Sequence, residues 1–286
     1  MISIDPKGIT TGKLHGYLLG AIAPRPIAFA STIDAEGNPN LSPFSFFNVF
    51  SANPPILIFS PARSVRGNNT KHTLDNVEVT KEVVINVVNY DIVQQMSLSS
   101  TMYPKGVNEF EKAGLTMLQS DKVKPFRVAE SPVQFECKVN DIIHLGKEGG
   151  AGNLIICEVV KLHINEAVLD EKGAIDQHKI DLVARAGGSY YSRAKDGFFE
   201  IPKPISTLGI GVDGIPIEIR NSEVLTGNDF GMLGNVEQFP NQQDVDNFAK
   251  DNPNFVGLET VKKHTFAKEF LKKNDVESAW KVLLIK

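Results

Sequence analysis

Apolar positions in the first two thirds of the chain come in short blocks rather than long helical stripes. Residues 26–33 (PIAFASTI) read as a strand ending at a turn over 34–38 (DAEGN). Residues 40–49 (NLSPFSFFNV) read as the return strand of a hairpin with a Gly-containing loop. Residues 54–60 (PPILIFS) and 82–88 (EVVINVV) are apolar runs of core-strand length. Residues 131–139 alternate, with Val133, Phe135, Cys137 and Val139 on one face and Gln134, Glu136 and Lys138 on the other. Residues 153–162 and 166–169 continue the strand pattern. Short helical patterns intervene at 71–80, at 91–99 with Ile92, Val93 and Met96 on one side, and at 107–114 ending at Gly114. A further one at 181–185 leads into Gly187-Gly188.

Strands that recur with short spacers, without regular βαβ alternation, predict a mainly β chain closed as an antiparallel barrel. The character changes near residue 200. Residues 201–217 carry Pro202, Pro204 and Pro216 with three glycines, and helical patterns follow at 244–250, 259–273 and 275–284. The last places Val276, Ala279, Trp280 and Leu283 on one stripe. Two regions are therefore expected: residues 1–200 as the barrel, and residues 201–286 as a partly helical extension. The extension's apolar content reads as thin for a free domain, so it is expected to pack on the barrel.

Composition narrows the class. The chain has 286 residues, 42% hydrophobic and 22% charged, which is ordinary for a soluble globular protein. A net charge of −4 and a pI near 5.9 argue against nucleic acid as a partner. No apolar run approaches the roughly 18 residues of a spanning helix, and the first ten residues lack a secretory pattern. No membrane association is expected, and the cytoplasm is the expected location. The two cysteines, Cys137 and Cys157, lack metal or redox-dithiol spacing and suit a reducing compartment, a disulfide staying open. None of the six histidines pairs with another at i, i+4, so no metal site is expected. There is no nucleophile elbow and no dinucleotide fingerprint; Gly209-Ile210-Gly211 reads as a turn.

Candidate chemistry concentrates between Pro24 and Thr80. Hydroxyls at Ser31, Thr32, Ser42, Ser45, Ser51, Ser60, Ser64, Thr70 and Thr73 mix with Arg25, Arg63, Arg66 and Lys71. Lys71-His72-Thr73 opens a predicted helix after a core strand. That arrangement suits a phosphate, and equally a solvated loop with a threonine cap. The segment 42–48 (SPFSFFN) is too aromatic for a solvent face and too polar for a two-sided core. It suits a strand that lines a flat heterocycle, or one whose alternate phenylalanines fill a barrel.

The run 24–60 (PRPIAFASTIDAEGNPNLSPFSFFNVFSANPPILIFS), with KHTLDNV, VVINVV, GVNEFEKAGL, RVAESPVQFEC and RAGGSYY in order behind it, resembles the flavin reductase-like, FMN-binding split-barrel family. The resemblance covers about residues 10–195, and the extension resembles one found in a subset of that family. It implies a Greek-key split barrel with short peripheral helices, a homodimer, and FMN near the dimer interface. Carried over residue by residue, Arg25, Ser31 and Thr32 would follow the ribityl and phosphate side. Ser45, Phe46, Phe47 and Asn48 would meet the isoalloxazine. Ser60, Lys71 and Thr73 would bind phosphate. Gly187 and Gly188 would let backbone approach the ligand, and Tyr191 would cover the ring. His72 departs from the pattern, which often has Asp there. The implied activity is flavin reduction by NADH or NADPH, for which no side chain is required as acid or base. The alternative is an FMN-dependent electron carrier that docks to a redox partner protein.

Overall fold

The computed structural model describes residues 1–204 and 208–286, so residues 205–207 of the Pro/Gly-rich stretch lie outside the described residues. The chain divides into two compact units, Met1–Phe198 and Phe199–Lys286.

The first unit opens with α1 (Thr11–Ala21), followed by β1 (Ala28–Ile33), β2 (Pro39–Phe44), β3 (Phe47–Ala52) and β4 (Pro55–Phe59). Next come α2 (His72–Thr80), β5 (Glu82–Val87), α3 (Val93–Ser99), α4 (Glu109–Ala113), β6 (Met117–Leu118) and β7 (Arg127–Val128). It ends with the long pair β8 (Val133–His144) and β9 (Asn153–Ile164), then α5 (Gln177–Ile180), β10 (Val183–Arg185) and β11 (Tyr191–Arg193). Seven strands form one antiparallel sheet in the order β2-β1-β5-β8-β9-β4-β3. Its two ends, β2 and β3, are consecutive in sequence and separated only by Ser45 and Phe46. Three peptide steps span at most about 11 Å, so the sheet must curl until its edges meet at those two residues without pairing. This is a split barrel.

β1 is buried along its whole length because it lies between two cores. Ala28 and Ala30 join Leu74 and Val77 of α2 inside the barrel, while Phe29, on the other pleat, joins Met96 of α3 and Phe110 of α4. Cys137 and Cys157 lie in the inner core as free thiols, and burial pushes both up. They form no disulfide.

Several expectations change. The expected return strand, 40–49, is two strands, broken where the sheet edges meet. α1 has no sequence signature, since none of its residues is buried. Residues 181–185 are not helical: Asp181 adopts φ +51°, which ends α5, and Val183–Arg185 pair with β11. Residues 166–168 form a 3₁₀ turn. The polar face expected on β8 is partly internal. Glu136 has no exposed surface and sits at a register shift. Its carboxylate accepts the N–H groups of Asp121, Lys122 and Val123 and a bond from His163 Nε2 at 2.6 Å. Burial opposes its charge, but these donors hold its pKa below the usual carboxylate range.

The second unit is helical, with α6 (Ile217–Arg220), α7 (Gly227–Gly234), α8 (Gln242–Asp251), α9 (Thr260–Leu271) and α10 (Val276–Leu284). Asp275 caps α10 by accepting from Ser278 N. The apolar content is not thin: Ile215, Leu233, Leu271 and Trp280 are almost wholly buried together, and Val245, Phe255, Val282 and Ile285 form a second cluster. Among the described residues no helix is long and apolar enough to cross a membrane.

Candidate functional site

Three cavities run together along unit 1 beside the β2–β3 junction. The first, about 190 Å³, is lined by Asn40 and Ser42 of β2, by Lys71, His72 and Thr73, and by Glu109 and the segment 99–103. The second, about 260 Å³, shares Ser42, Lys71 and Ser100 with it and adds His15, Ser45, Phe46 and Ser60. The third, about 310 Å³, shares Ser45 and Ser100 with the second and adds Ile27, Met96, Arg185 and Tyr191. The result is one groove, with a cation at the α2 end in Lys71 and another at the far end in Arg185.

The α2 end gathers donors that no acceptor answers among the described residues. Lys71 is the N-cap residue, but no side chain caps this helix. The N–H groups of His72 and Thr73 have no acceptor among the described residues. Thr73 is 1% exposed, and its hydroxyl accepts from Asn40 Nδ2 at 2.9 Å, which leaves its own proton to donate. Two free N–H groups, an ammonium and a hydroxyl at the start of a nine-residue helix are the donors a phosphate needs.

Of the residues expected from the sequence, Ser45, Phe46, Ser60, Lys71, Thr73 and Tyr191 line this groove. The others lie elsewhere, each for a local reason. Arg25 is 6% exposed and turned inward. It donates to Ser45 Oγ at 3.3 Å and to the carbonyls of Leu19, Ile22 and Ala186, so it holds α1, the junction and the 186–190 loop together. Burial, and then the charge of Arg185, lower its pKa. Thr32 is buried with its hydroxyl accepting from Asn40 and Asn76. Ser31, one residue away and so on the opposite pleat, is fully buried with its Oγ unpartnered. Phe47 packs against the inner core, and Asn48 is exposed on β3 with its side chain on Val49 N. A Cβ on Gly187 would lie 3.4 Å from Gly20 Cα, so the close backbone approach there is to α1. Gly188, at φ +58°, turns the loop, and its carbonyl is held by Arg185.

The sequence reading missed Asn40, Ser97, the segment 99–103, Arg185 and Glu109. The hydroxyl run Ser99-Ser100-Thr101 at the end of α3 was an available signal. Glu109 carried none: it is 5% exposed, opens α4, and accepts from Leu41 N at 3.0 Å. Burial raises its pKa, against the lowering effect of Leu41 N–H and of His72. His72 thus meets an acidic group within the same cavity.

The comparisons with known proteins bear on the family and the fold. Residues 20–184 match the model of the flavin reductase like domain. An uncharacterized protein of Halalkalibacterium halodurans is 34% identical over 199 residues, 69% of this chain and 94% of that protein. One of Aquifex aeolicus is 38% identical over 182 residues, 63% of this chain and 90% of its own length. Among solved structures, nitrilotriacetate monooxygenase component B from Bacillus cereus superposes with a TM-score of 0.66 at 30% identity, covering 70% of this chain and 98% of that one. The 2-nitrobenzoate 2-nitroreductase of Pseudomonas fluorescens superposes with a TM-score of 0.65 at 25% identity, covering 73% of this chain and all of that one.

Proposed function

Because the chain belongs to the flavin reductase-like family, we propose that the groove of unit 1 holds FMN and that the protein is an NAD(P)H-dependent flavin oxidoreductase. The observation that carries this reading is the uncapped start of α2, with Lys71 and Thr73 facing a groove that continues to Ser45, Phe46 and Tyr191. FMN, when bound, supplies the hydride-accepting chemistry. Lys71 Nζ, the Thr73 hydroxyl and the N–H groups of His72 and Thr73 hold the phosphate. Arg25 fixes the junction by bonding Ser45 and three carbonyls around it. Ile27, Pro43 and Met96 give the third cavity, at the far end of the groove, an apolar strip beside its hydroxyls and Arg185.

A homodimer belongs to the same reading. Phe44 is buried and Phe47 half-buried, but Phe50 is 62% and Val49 64% exposed on β3, and Tyr17 and Leu18 are exposed on α1. Apolar surface of this kind suits a large obligate interface; a stable FMN-bound monomer in sedimentation would contradict it. Two buried free thiols suit a reducing cytoplasm.

The test is anaerobic. FMN should be recovered from the denatured protein, and NADH or NADPH should bleach the bound flavin with no other protein present. Recovery of FAD as the dominant ligand would overturn the cofactor assignment. FMN that neither nucleotide reduces would leave an electron carrier or a flavin store.

A further inference from the structure

Away from the groove, one group of side chains gathers ligand chemistry that the flavin reading does not use. Asp121, Glu136 and His163 each bring a carboxylate oxygen or an imidazole nitrogen, and these atoms lie within 4.8 Å of one another. No other group of three such residues comes together among the described residues. The three belong to separate segments: Asp121 to the stretch between β6 and β7, Glu136 to β8 and His163 to β9. Gln134 is opposite His163 and Glu136 is opposite Lys161 in the sheet, so Glu136 and His163 are diagonal neighbours on one face. The spacing of histidines along the chain, which argued against a metal, carries no information about such a meeting of strands.

Glu136 is the fixed member. Its side chain has no exposed surface, and the N–H groups of Asp121, Lys122 and Val123 hold both of its oxygens. Such donors orient a carboxylate as outer hydrogen bonds orient metal ligands, but they bring no net charge. Its side-chain partner is His163 Nε2, 2.6 Å from Oε1, which answers the charge only when the imidazole is protonated. A carboxylate oxygen has two acceptor positions. Oε1 gives one to Asp121 N–H and the other to His163, and a cation would take the second. Moving the proton of a neutral imidazole from Nε2 to Nδ1 turns Nε2 into a ligand aimed at the same point. Asp121, 49% exposed, is the mobile member. Two atoms ~2.1 Å from one ion are at most ~4.2 Å apart, so the Asp121 carboxylate closes the site by turning inward, which its exposure permits.

We propose that Asp121, Glu136 and His163 form a site for a divalent cation of the zinc class, completed by water. One imidazole nitrogen and two carboxylate oxygens are a ligand set that zinc takes in four-coordinate sites. Two carboxylates and a neutral imidazole sum to a charge that a divalent ion cancels, inside a site whose central oxygens are withdrawn from water. The ion ties the stretch between β6 and β7 to the β8–β9 pair. Lys161 is its competitor: the ammonium lies 3.5 Å from Asp121 Oδ2 and is 43% exposed, so it can turn to water as the ion enters. None of the three ligands lines the groove, so the site stands apart from the flavin reading.

The experiment titrates the full-length protein, first stripped with a chelator, calorimetrically with zinc chloride. One ion should bind per chain with a Kd of about 1 μM or tighter. His163→Gln keeps a side-chain N–H for Glu136 and removes the nitrogen ligand. Asp121→Asn keeps the backbone N–H that Glu136 accepts and removes a charged ligand. Loss of an outer hydrogen bond alone weakens metal sites by about 10- to 100-fold, so each variant should raise Kd by about tenfold or more. Lys161→Gln removes the competing cation and should tighten zinc roughly twofold to fivefold. Saturating zinc should raise the thermal unfolding midpoint of the wild type and leave that of His163→Gln where it was. Asp121 is exposed, so Asp121→Asn decides the matter even if His163→Gln fails to fold. The proposal is overturned if no one-to-one binding occurs, if a folded variant at 121 or 163 binds zinc as the wild type does, or if Lys161→Gln binds it more weakly. Flavin in the same samples is measured in parallel: a chain that holds FMN but no zinc sinks only this site, and one that holds zinc but no FMN sinks only the flavin reading.

Discussion

The interiors of the two units are built differently. Unit 1 buries Arg25, Thr32, Asn40, Thr73, Asn76, Asn86, Glu109, Gln134, Glu136 and Asp181, among other polar groups. Among the described residues unit 2 buries two, Asp229 and His264, and Asp229 is the partner of Thr226 in a capping box. Otherwise unit 2 is apolar and aromatic. Phe239 meets Trp280 at 4.8 Å, Phe255 meets Phe248, Phe266 and Phe270, and Trp280 Nε1–H donates to Leu233 O. Buried polar groups cost stability unless each is satisfied. A region that carries many has them for a reason other than cohesion, and in unit 1 that reason is visible. Asn40 links Thr32 to Thr73, Arg25 braces the sheet junction, and Glu109 ties α4 to β2 at the rim of the groove.

The largest expected effect separates cohesion from site. Leu271→Ala removes a buried side chain from the helical core and should cost about 2–5 kcal/mol. Trp280 is the only tryptophan in the chain and lies in that core, so its fluorescence reports unit 2. Its unfolding midpoint in urea should fall sharply; an unchanged midpoint would mean that the apolar cluster is not what holds the unit.

In unit 1, Lys71→Ala should leave the fold intact and weaken FMN. Losing one charge-assisted hydrogen bond of about 1.5–3 kcal/mol raises Kd roughly 10- to 150-fold. Riboflavin, without the phosphate, should bind as before. Equal weakening of both ligands, or of neither, would remove Lys71 as the anchor. Glu109→Gln should act in the opposite direction. Glutamine keeps an acceptor for Leu41 N–H and removes a negative charge from the cavity that Lys71 also lines. FMN should tighten by about tenfold, some 1.4 kcal/mol. Burial raises the Glu109 pKa, so the gain should shrink as the pH falls and the wild-type carboxyl takes up its proton. A gain independent of pH would show that charge is not its cause.

The smallest effect concerns Asp181. The Arg193 hydrogen bond, opposed by burial and helped by Lys195, holds its pKa near 2. An unfolded aspartate titrates near ~3.9. A depressed folded pKa contributes stability above the unfolded value and loses it as the pH falls from about 4 toward 2. The stability gap between wild type and Asp181→Asn should therefore narrow over that window in urea unfolding. A constant gap would mean that the ion pairs contribute nothing.

The strands over 54–60 and 82–88 were legible because an apolar run of strand length is a local signal, and both fall within two residues of their observed bounds. The start of α2 was legible because a helical pattern opens at residue 71 directly after the polar loop over 64–70. α1 was not: glycines at 12, 16 and 20 interrupt it, no residue is buried, and what secures it comes from Arg25. The reading of Arg25 as a ligand contact was carried over from the family resemblance, whereas the carbonyls it bonds converge only in three dimensions. Gly209 looked like part of a turn. Its Cβ would lie 2.6 Å from Gly234 O, so it marks a close backbone approach that no sequence spacing announces. The core of unit 2 read as thin because its apolar residues are shared among short helices, and α6 and α7 left no stripe long enough to see.

Hydrogen exchange at the backbone amides of His72 and Thr73 tests most directly whether the polar architecture of unit 1 serves a flavin phosphate. Both N–H groups lack an acceptor among the described residues, so they should exchange rapidly in the flavin-free protein. Saturating FMN should slow both strongly, and riboflavin should not. Equal exchange with and without FMN, in a protein that demonstrably binds it, would place the phosphate elsewhere and contradict the assignment.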